Sequence, residues 1–194
     1  MEKLRCAWAE NASELDQKYH DEEWGVPVYD DSILFEFLVL EGMQAGLSWS
    51  TILHRRESMK KAFDNYNLQK ITKYDQKKKE ALLQDPGIIR NRLKVDAVII
   101  NARLFTDIQK EYGSFANYLW AFVDGKPIVN NRKSSRDVPT STPLSDEISK
   151  DLKKRGFKFV GTTIIYAYLQ AVGVVNEHEE CCFASARSNG YDNI

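Results

Sequence analysis

Between Ile33 and Glu41 the chain is apolar at almost every position, reading Ile33-Leu34-Phe35-Glu36-Phe37-Leu38-Val39-Leu40-Glu41. A run this evenly apolar reads as a helix buried on nearly all sides. Asp31 or Ser32 can cap it, and it is expected to end near Glu41-Gly42. Around it the pattern is helical and amphipathic. Ser13 opens a helix with Asp16 three residues on, in the manner of a capping box. Ser48 caps a second helix from Trp49 to about Phe63, with basic residues outward. Asn67 and Thr72 open short helices through Leu83, and Asp85-Pro86-Gly87 is a turn. Asn91 caps a helix to about Gln109 with Val95, Val98, Ile99, Ala102 and Phe105 inward. Ser114 opens another, ending at Asp124-Gly125. Residues 126–144 read as a long loop, Ser145 opens a basic helix to Arg155-Gly156, and Gly161 to Ala171 is a buried helix stopping at Gly173. Strand-like runs such as Val98-Ile99-Ile100 fall inside helical periods, so the expected fold is all-α.

Glu41 is the conspicuous polar residue in this pattern. Leu34, Phe37 and Leu38 lie seven, four and three residues before it, on its own helix face. No Lys or Arg occurs between Val26 and Leu53. A carboxylate held from water needs a partner or a raised pKa. Trp49 follows, with Gly42 and Gly46 between. A buried carboxylate beside an aromatic plate suits a flat, hydrogen-bonding cation. The plainer alternative is a carboxylate that caps a backbone amide or pairs with a distant Arg.

Composition narrows the class. The 194 residues, 43% apolar and 28% charged, make one soluble globular unit with a real core. No apolar run reaches the length of a membrane span, and Met1 to Trp8 has no apolar signal core. Three cysteines do not make a disulfide scaffold, so the chain reads as cytoplasmic. Net charge is −1, but unevenly placed. Residues 1–31 hold nine acids and three bases, leaving 24 bases against 19 acids in the rest. The bases cluster at 55–61, 73–79, 90–103 and 150–158. Each cluster alone reads as a solvated helix face; together they fit a phosphate backbone.

Three further groupings carry chemistry. Cys6, His20, His178, Cys181 and Cys182 are soft ligands at the two extremes of the chain. Two Cys with two His is a tetrahedral zinc set, and four protein ligands would make it structural. The alternative is a buried free cysteine with ordinary histidines. Next, Leu82 to Lys94 reads as helix, tight turn and helix. Its Gly87 turn offers free amides for a phosphate, with Arg90, Arg92 and Lys94 adding charge. This resembles a helix-hairpin-helix, lacking its usual second glycine; a plain helix connection fits equally. Finally, Gly42 to Trp49 links two helices. Its glycines allow close approach of another backbone, and Leu47 or Gln44 at the tip could fill the gap a flipped nucleotide leaves. Alternatively Leu47 is packed in the core.

Taken in order, several long strings resemble 3-methyladenine DNA glycosylase I. They are Cys6-x-Trp8, Tyr19-His20-Asp21-Glu22-Glu23-Trp24-Gly25-Val26-Pro27, Leu40 to Trp49, Pro139-Thr140-Ser141-Thr142-Pro143 and Lys153 to Thr163. The resemblance runs from Cys6 to Cys182. It implies a helix-hairpin-helix glycosylase-like bundle whose terminal segments are joined by one structural zinc. It also implies a single catalytic unit over 1–194, divisible into a hairpin lobe, about 42–115, and a zinc-tied terminal lobe, about 1–41 with 116–185.

The implied activity is removal of 3-methyladenine from alkylated double-stranded DNA by base flipping, using water and without strand cleavage, in a monomer. Carried over residue by residue, the zinc ligands fall on Cys6, His20, His178 and Cys182. Cys181 is a rival for the last place, and the i, i+4 spacing from His178 favours Cys182. The base-reading, catalytic carboxylate falls on Glu41, the stacking aromatics on Trp49 and Tyr19, and nearby aromatics on Trp8 and Trp24. A cationic base between Trp49 and Tyr19 would gain cation–π attraction. The expected DNA contacts are Leu47, Gln44, Gly87, Arg90 and Lys94. Related glycosylases use an Asp to activate water; here neither Asp137 nor Asp146 is assigned that role. Two rival readings remain on the residues alone. One is a zinc-stabilised nucleic-acid binder without activity. The other is a small-molecule zinc hydrolase, which needs an open coordination position.

Overall fold

Asp30 starts the helix on which the candidate site is built. The computed structural model describes residues 3–185, and the tail 186–194 lies outside them. The described chain folds as helices α1 (Ala7–Glu10), α2 (Glu14–Glu22), α3 (Asp31–Gln44), α4 (Trp49–Ala62), α5 (Leu68–Ile71), α6 (Gln76–Gln84), α7 (Arg92–Tyr112), α8 (Phe115–Ala121), α9 (Pro143–Arg155) and α10 (Thr162–Ala171). Two short strands, β1 (Ile128–Val129) and β2 (Val175–Asn176), complete it. They pair in parallel, Ile128 with Val175 and Val129 with Asn176. The all-α expectation therefore misses one short ladder. It lies partly in the stretch read as a long loop, and is too short for any alternating pattern to reveal.

Side-chain caps account for most helix starts. Ser13, Ser48, Asn67, Asn91 and Ser114 each accept a hydrogen bond from the backbone amide three residues on. Three starts differ from expectation. Asp30 caps α3, accepting from the amides of Ser32 and Ile33. Asp75, not Thr72, caps α6. Thr142 caps α9 with Pro143 in the first turn, while Ser145 completes a reciprocal capping box. The α3 helix also runs past Glu41-Gly42 to Gln44. Gly42 therefore sits inside the helix, where an added Cβ would make ordinary contact with Phe159, 3.5 Å away. Gly46 allows a turn rather than a close approach: its φ is +78° and an added Cβ would meet no described atom within 4 Å.

Displaced from capping its own helix, Asp31 ties α3 to α8. Its carboxylate accepts from the amides of Phe115 (2.9 Å) and Ala116 (2.8 Å) and from Gln109 Nε2 (2.7 Å). The residues Leu34 to Glu41 are all buried, and α3 packs against α4, α7, α8 and α10. Phe35 meets Phe105 edge-on, and Phe105 stacks on Phe115 at 4.0 Å. So α3 is the axis of the core.

The α6–turn–α7 unit docks on α4. Arg55 donates to Pro86 O (2.6 Å), and Ser58 Oγ donates to Gly87 O (2.7 Å). A Cβ at Gly87 would lie 2.9 Å from Ser58 Cβ, so glycine is required for this approach. Among the described residues no helix is long and apolar enough to cross a membrane.

Replacing Asp31 with Ala strips partners from two amides at the start of α8. Urea unfolding is expected to show a loss of about 1–3 kcal/mol. An unchanged midpoint would mean that α8 does not depend on this carboxylate.

Candidate active site

The end of α3, the start of α4, α2 and the segments around residues 6–8 and 177–179 line an open cavity of about 280 Å³. Its wall includes Trp8, Tyr19, Trp24, Glu41, Gln44 and Trp49, six of the residues singled out in the sequence. This is small for a ligand site, suited to one compact planar molecule.

Glu41 enters the cavity from α3 and is 3% exposed. Its Oε2 is buried with no hydrogen-bond partner among the described residues. Neither the cap nor the distant Arg of the plainer alternative is found on that oxygen. Glu36, five residues earlier on the same helix, shows what compensation looks like. It is 6% exposed and accepts from Arg56 Nε at 2.6 Å, with Lys60 at 3.8 Å. Arg56 also reaches Glu23 at 2.7 Å, so this member of the first basic cluster is spent internally. With no such partner, burial alone pushes the Glu41 carboxyl up to about 8.

Trp49 opens α4 directly after the Ser48 cap. Its Nε1 is a second buried polar atom without a partner. Tyr19 on α2 is 4% exposed, and its ring lies 5.0 Å from Trp49 at 47°. These rings touch each other. They form one aromatic side of the cavity, the pair between which the family resemblance implies a base. Burial, and then the charge of Glu41, push the Tyr19 phenol well above its ordinary value, so it stays a hydrogen-bond donor.

Two acids of the wall, Glu177 and Glu179, are absent from the sequence reading. Both are fully committed elsewhere. Glu177 accepts from Asn130 (2.6 Å), from Arg132 Nε (2.5 Å) and from the Tyr166 hydroxyl. Glu179 accepts from the amides of Ser135 (2.8 Å) and Ala7 (3.2 Å). They bind the 126–138 segment and the N-terminus to the end of the chain. Their spacing around His178 was the available signal: acids alternating with a histidine, just after an apolar run.

Behind Trp8 and Trp24 lies the four-residue cluster. Cys6, His20, His178 and Cys182 are all buried, and their donor atoms lie within 4.8 Å of one another. His178 Nδ1 is 3.4 Å from Cys6 Sγ and 3.5 Å from Cys182 Sγ, and His20 Nε2 is 3.6 Å from Cys182 Sγ. A tetrahedron with arms of about 2.0 Å to nitrogen and 2.3 Å to sulfur has edges of roughly 3.3–3.8 Å. These three separations fit the edges of such a centre. The outer nitrogens are also anchored: His20 Nδ1 lies 3.0 Å from Asp21 Oδ1, and His178 Nε2 donates to Trp24 O at 3.0 Å. Backbone amides of Glu179 and Ala184 donate to the Cys6 and Cys182 sulfurs. Cys181 is exposed. The cluster therefore contains Cys182 rather than Cys181, and not through a helical spacing. Residues 177–185 are not helical, and a turn brings Cys182 inward.

The two tryptophans join cluster to cavity. Trp24 packs on the His178 ring at 4.5 Å and Trp8 on the His20 ring at 5.2 Å. Gly25, with φ +74°, lets this backbone pass the His178 ring, which a Cβ would meet at 3.1 Å.

The expected DNA-facing residues divide. Leu47 is 40% exposed at the loop tip, so it is not a core residue. Gln44 is half-buried in the cavity wall. Arg90 and Arg92 are exposed. Gly87 does not offer a free amide, because its N–H donates to Asp85 Oδ1 at 2.7 Å. Lys94 faces inward, 8% exposed, and donates to Met43 O and Ala45 O. It is on the same helix face as Val98, Asn101 and Phe105, so helical phase and not charge decides its direction.

The family model described as methyladenine glycosylase matches residues 8–185. DNA-3-methyladenine glycosylase 1 of Escherichia coli (strain K12) is 45% identical over 181 residues, covering 92% of this chain and 96% of that protein. A crystal structure of 3-methyladenine DNA glycosylase I superposes with a TM-score of 0.89 at 48% identity, over 93% of this chain and 98% of the other. A second, of a variant in complex with 3-methyladenine, gives 0.90 at 34% identity, over 93% and 97%.

Ionisation of Glu41 sets a pH signature. A carboxyl at about 8 when folded and near 4.5 when unfolded favours the folded state most below pH 4.5. That advantage is lost as pH rises towards 8, at about 1.4 kcal/mol per unit of displacement. Relative to Glu41→Gln, the wild type is therefore expected to lose a few kcal/mol of stability between about pH 5 and 8 in urea titrations. Parallel pH profiles would show that the carboxyl is compensated.

Proposed function

The chain belongs to the methyladenine glycosylase family, and on that premise we propose that it excises 3-methyladenine from alkylated double-stranded DNA. In this reading it is a cytoplasmic, monomeric base-excision-repair enzyme that hydrolyses the N-glycosidic bond of a base flipped out of the duplex. The observation that carries the reading is the pair of orphaned polar atoms, Glu41 Oε2 and Trp49 Nε1, in an aromatic-walled cavity.

Methylation at N3 makes the adenine of a nucleotide cationic. The aromatic wall of Trp49 and Tyr19 attracts that cation, by about 2 kcal/mol when desolvated. Its charge also drives Glu41 to ionise and accept a charge-assisted hydrogen bond. Neutral adenine supplies no such charge and leaves the acid uncompensated, which is discrimination by penalty. When the glycosidic bond breaks, its electron pair goes to the base and cancels the positive charge; water adds to the sugar carbon and gives up a proton. The leaving group is activated before it binds, so the protein's task is to hold it and exclude normal bases. Among the described residues the cavity wall contains no lysine and no aspartate. This supports a water-using enzyme that forms no imine with the sugar and has no dedicated acid for the water.

Leu47 is the wedge of this proposal, because it is exposed at the loop tip, whereas Gln44 belongs to the wall. Arg90 and Arg92, both exposed, are the phosphate contacts. The hairpin lobe, about 42–115, then meets the duplex, and the terminal lobe, about 1–41 with 116–185, closes the back of the pocket. One zinc ion held by Cys6, His20, His178 and Cys182 would join the two ends of the chain. Four protein ligands leave no open position, so the metal is structural and the hydrolytic-zinc reading loses its main requirement.

Release of free base from alkylated duplex DNA tests the activity. Wild type is expected to release 3-methyladenine, with kcat/KM lowered roughly a hundredfold in Glu41→Gln and at least about tenfold in Trp49→Ala. Full excision and selectivity in Glu41→Gln would sink the mechanism. Elemental analysis tests the metal separately. One zinc per chain is expected in wild type and in Cys181→Ser, and a large loss of zinc and stability in Cys182→Ser. Equal retention in both variants would contradict the ligand set.

A further inference from the structure

Lys94 is a cation turned inward beside a loop that contains none. Its ammonium donates to Met43 O at 2.8 Å and to Ala45 O at 2.7 Å. Burying an ammonium is costly, and here desolvation lowers its pKa. The two carbonyls lie at the C-terminal end of α3, where backbone acceptors lack helical partners and the helix dipole is negative. Gln44 O between them accepts from the Leu47 amide at 2.6 Å. Three successive carbonyls, 43 to 45, are thus satisfied, and the tip at Gly46–Ser48 projects from a fixed base.

The same residue is anchored at its other end. The Lys94 amide donates to Asn91 Oδ1, the cap of α7, at 3.1 Å. Exposed Arg90 and Arg92 flank that cap, and the 85–87 turn before it is docked on α4. One side chain therefore spans from the hairpin to the loop that carries Gln44 and Leu47.

We propose that Lys94 is a positioning residue for action on duplex DNA, its ammonium fixing the Gln44–Leu47 loop to the start of the hairpin helix α7. The proposal rests on the glycosylase reading above. Glu41 and the Tyr19–Trp49 wall suffice to hold a free base. A base in a duplex must also be extruded, and this requires the loop tip to meet the strand in register with the hairpin. Lys94 serves only the second task.

The test compares wild type with Lys94→Met, which keeps the unbranched stem and removes the donors. Three quantities are measured on the full chain: affinity for free 3-methyladenine, kcat/KM on alkylated duplex DNA, and hydrogen exchange of the amides of residues 45–48. The expected result is unchanged free-base affinity, about a tenfold or greater fall in kcat/KM on duplex, and faster exchange in the loop. Equal losses for free base and duplex would make Lys94 a general scaffold residue and overturn the proposal. So would unchanged excision by the variant beside an active wild type. An inactive wild type would instead remove the glycosylase reading, and exchange would then decide whether the strut exists: unchanged exchange overturns it.

Discussion

A carboxyl group held from water with nothing to neutralise it is an expense that folding alone does not explain. Glu41 is buried beside the cavity by α3, a helix whose other buried side chains are almost all apolar. The one other buried acid there, Glu36, has two cations. The contrast is the argument: the chain compensates a buried acid where nothing is to be bound, and leaves one bare where a cavity opens. Tyr19 and Trp49 give that cavity an aromatic side and a second unpaired donor. A cationic planar ligand satisfies all of these at once, and the glycosylase reading follows from that match together with membership of the family.

The rest of the fold serves to keep this arrangement still. Asp31 ties the start of α3 to α8, and Lys94 closes its end. The back wall of the cavity comes from the chain termini, which have little intrinsic reason to stay together. Four metal-capable side chains join them, and Trp8 and Trp24 lie between that cluster and the cavity. Glu177 and Glu179 extend the same tie to the 126–138 segment. An unpaired acid raises the energy of the pocket, and this bracing is what prevents the surroundings from relaxing to hide it.

Much of this was legible in the residues, and the exceptions have physical causes. The apolar periodicity located α3, α7 and α10, and Ser13, Ser48, Asn91 and Ser114 cap where their positions implied. Asp30 and Asp31 are adjacent acids, either able to cap; only the position of α8 decides that Asp31 is needed elsewhere. Thr142 and Ser145 form one reciprocal box, so either could be taken for its start. The charge of Lys94 points to a DNA contact, whereas its helical phase with Val98, Asn101 and Phe105 places it inward. The helical spacing that favours Cys182 over Cys181 is one the fold does not use. The β1–β2 ladder and the commitments of Glu177 and Glu179 depend on segments far apart in sequence, and no local pattern carries them.

The central claim concerns the state of one carboxyl group, and isotope-edited NMR of a ¹³C-labelled Glu41 side chain reads it directly. The account predicts a titration near 8 in the free protein, falling well below that when a cationic N3-methylated adenine nucleoside is bound. A titration at the ordinary value near 4.5 in the free protein, unmoved by the ligand, would contradict it. Glu41 would then be a compensated structural acid, and the pocket's preference for a cation would have no physical source.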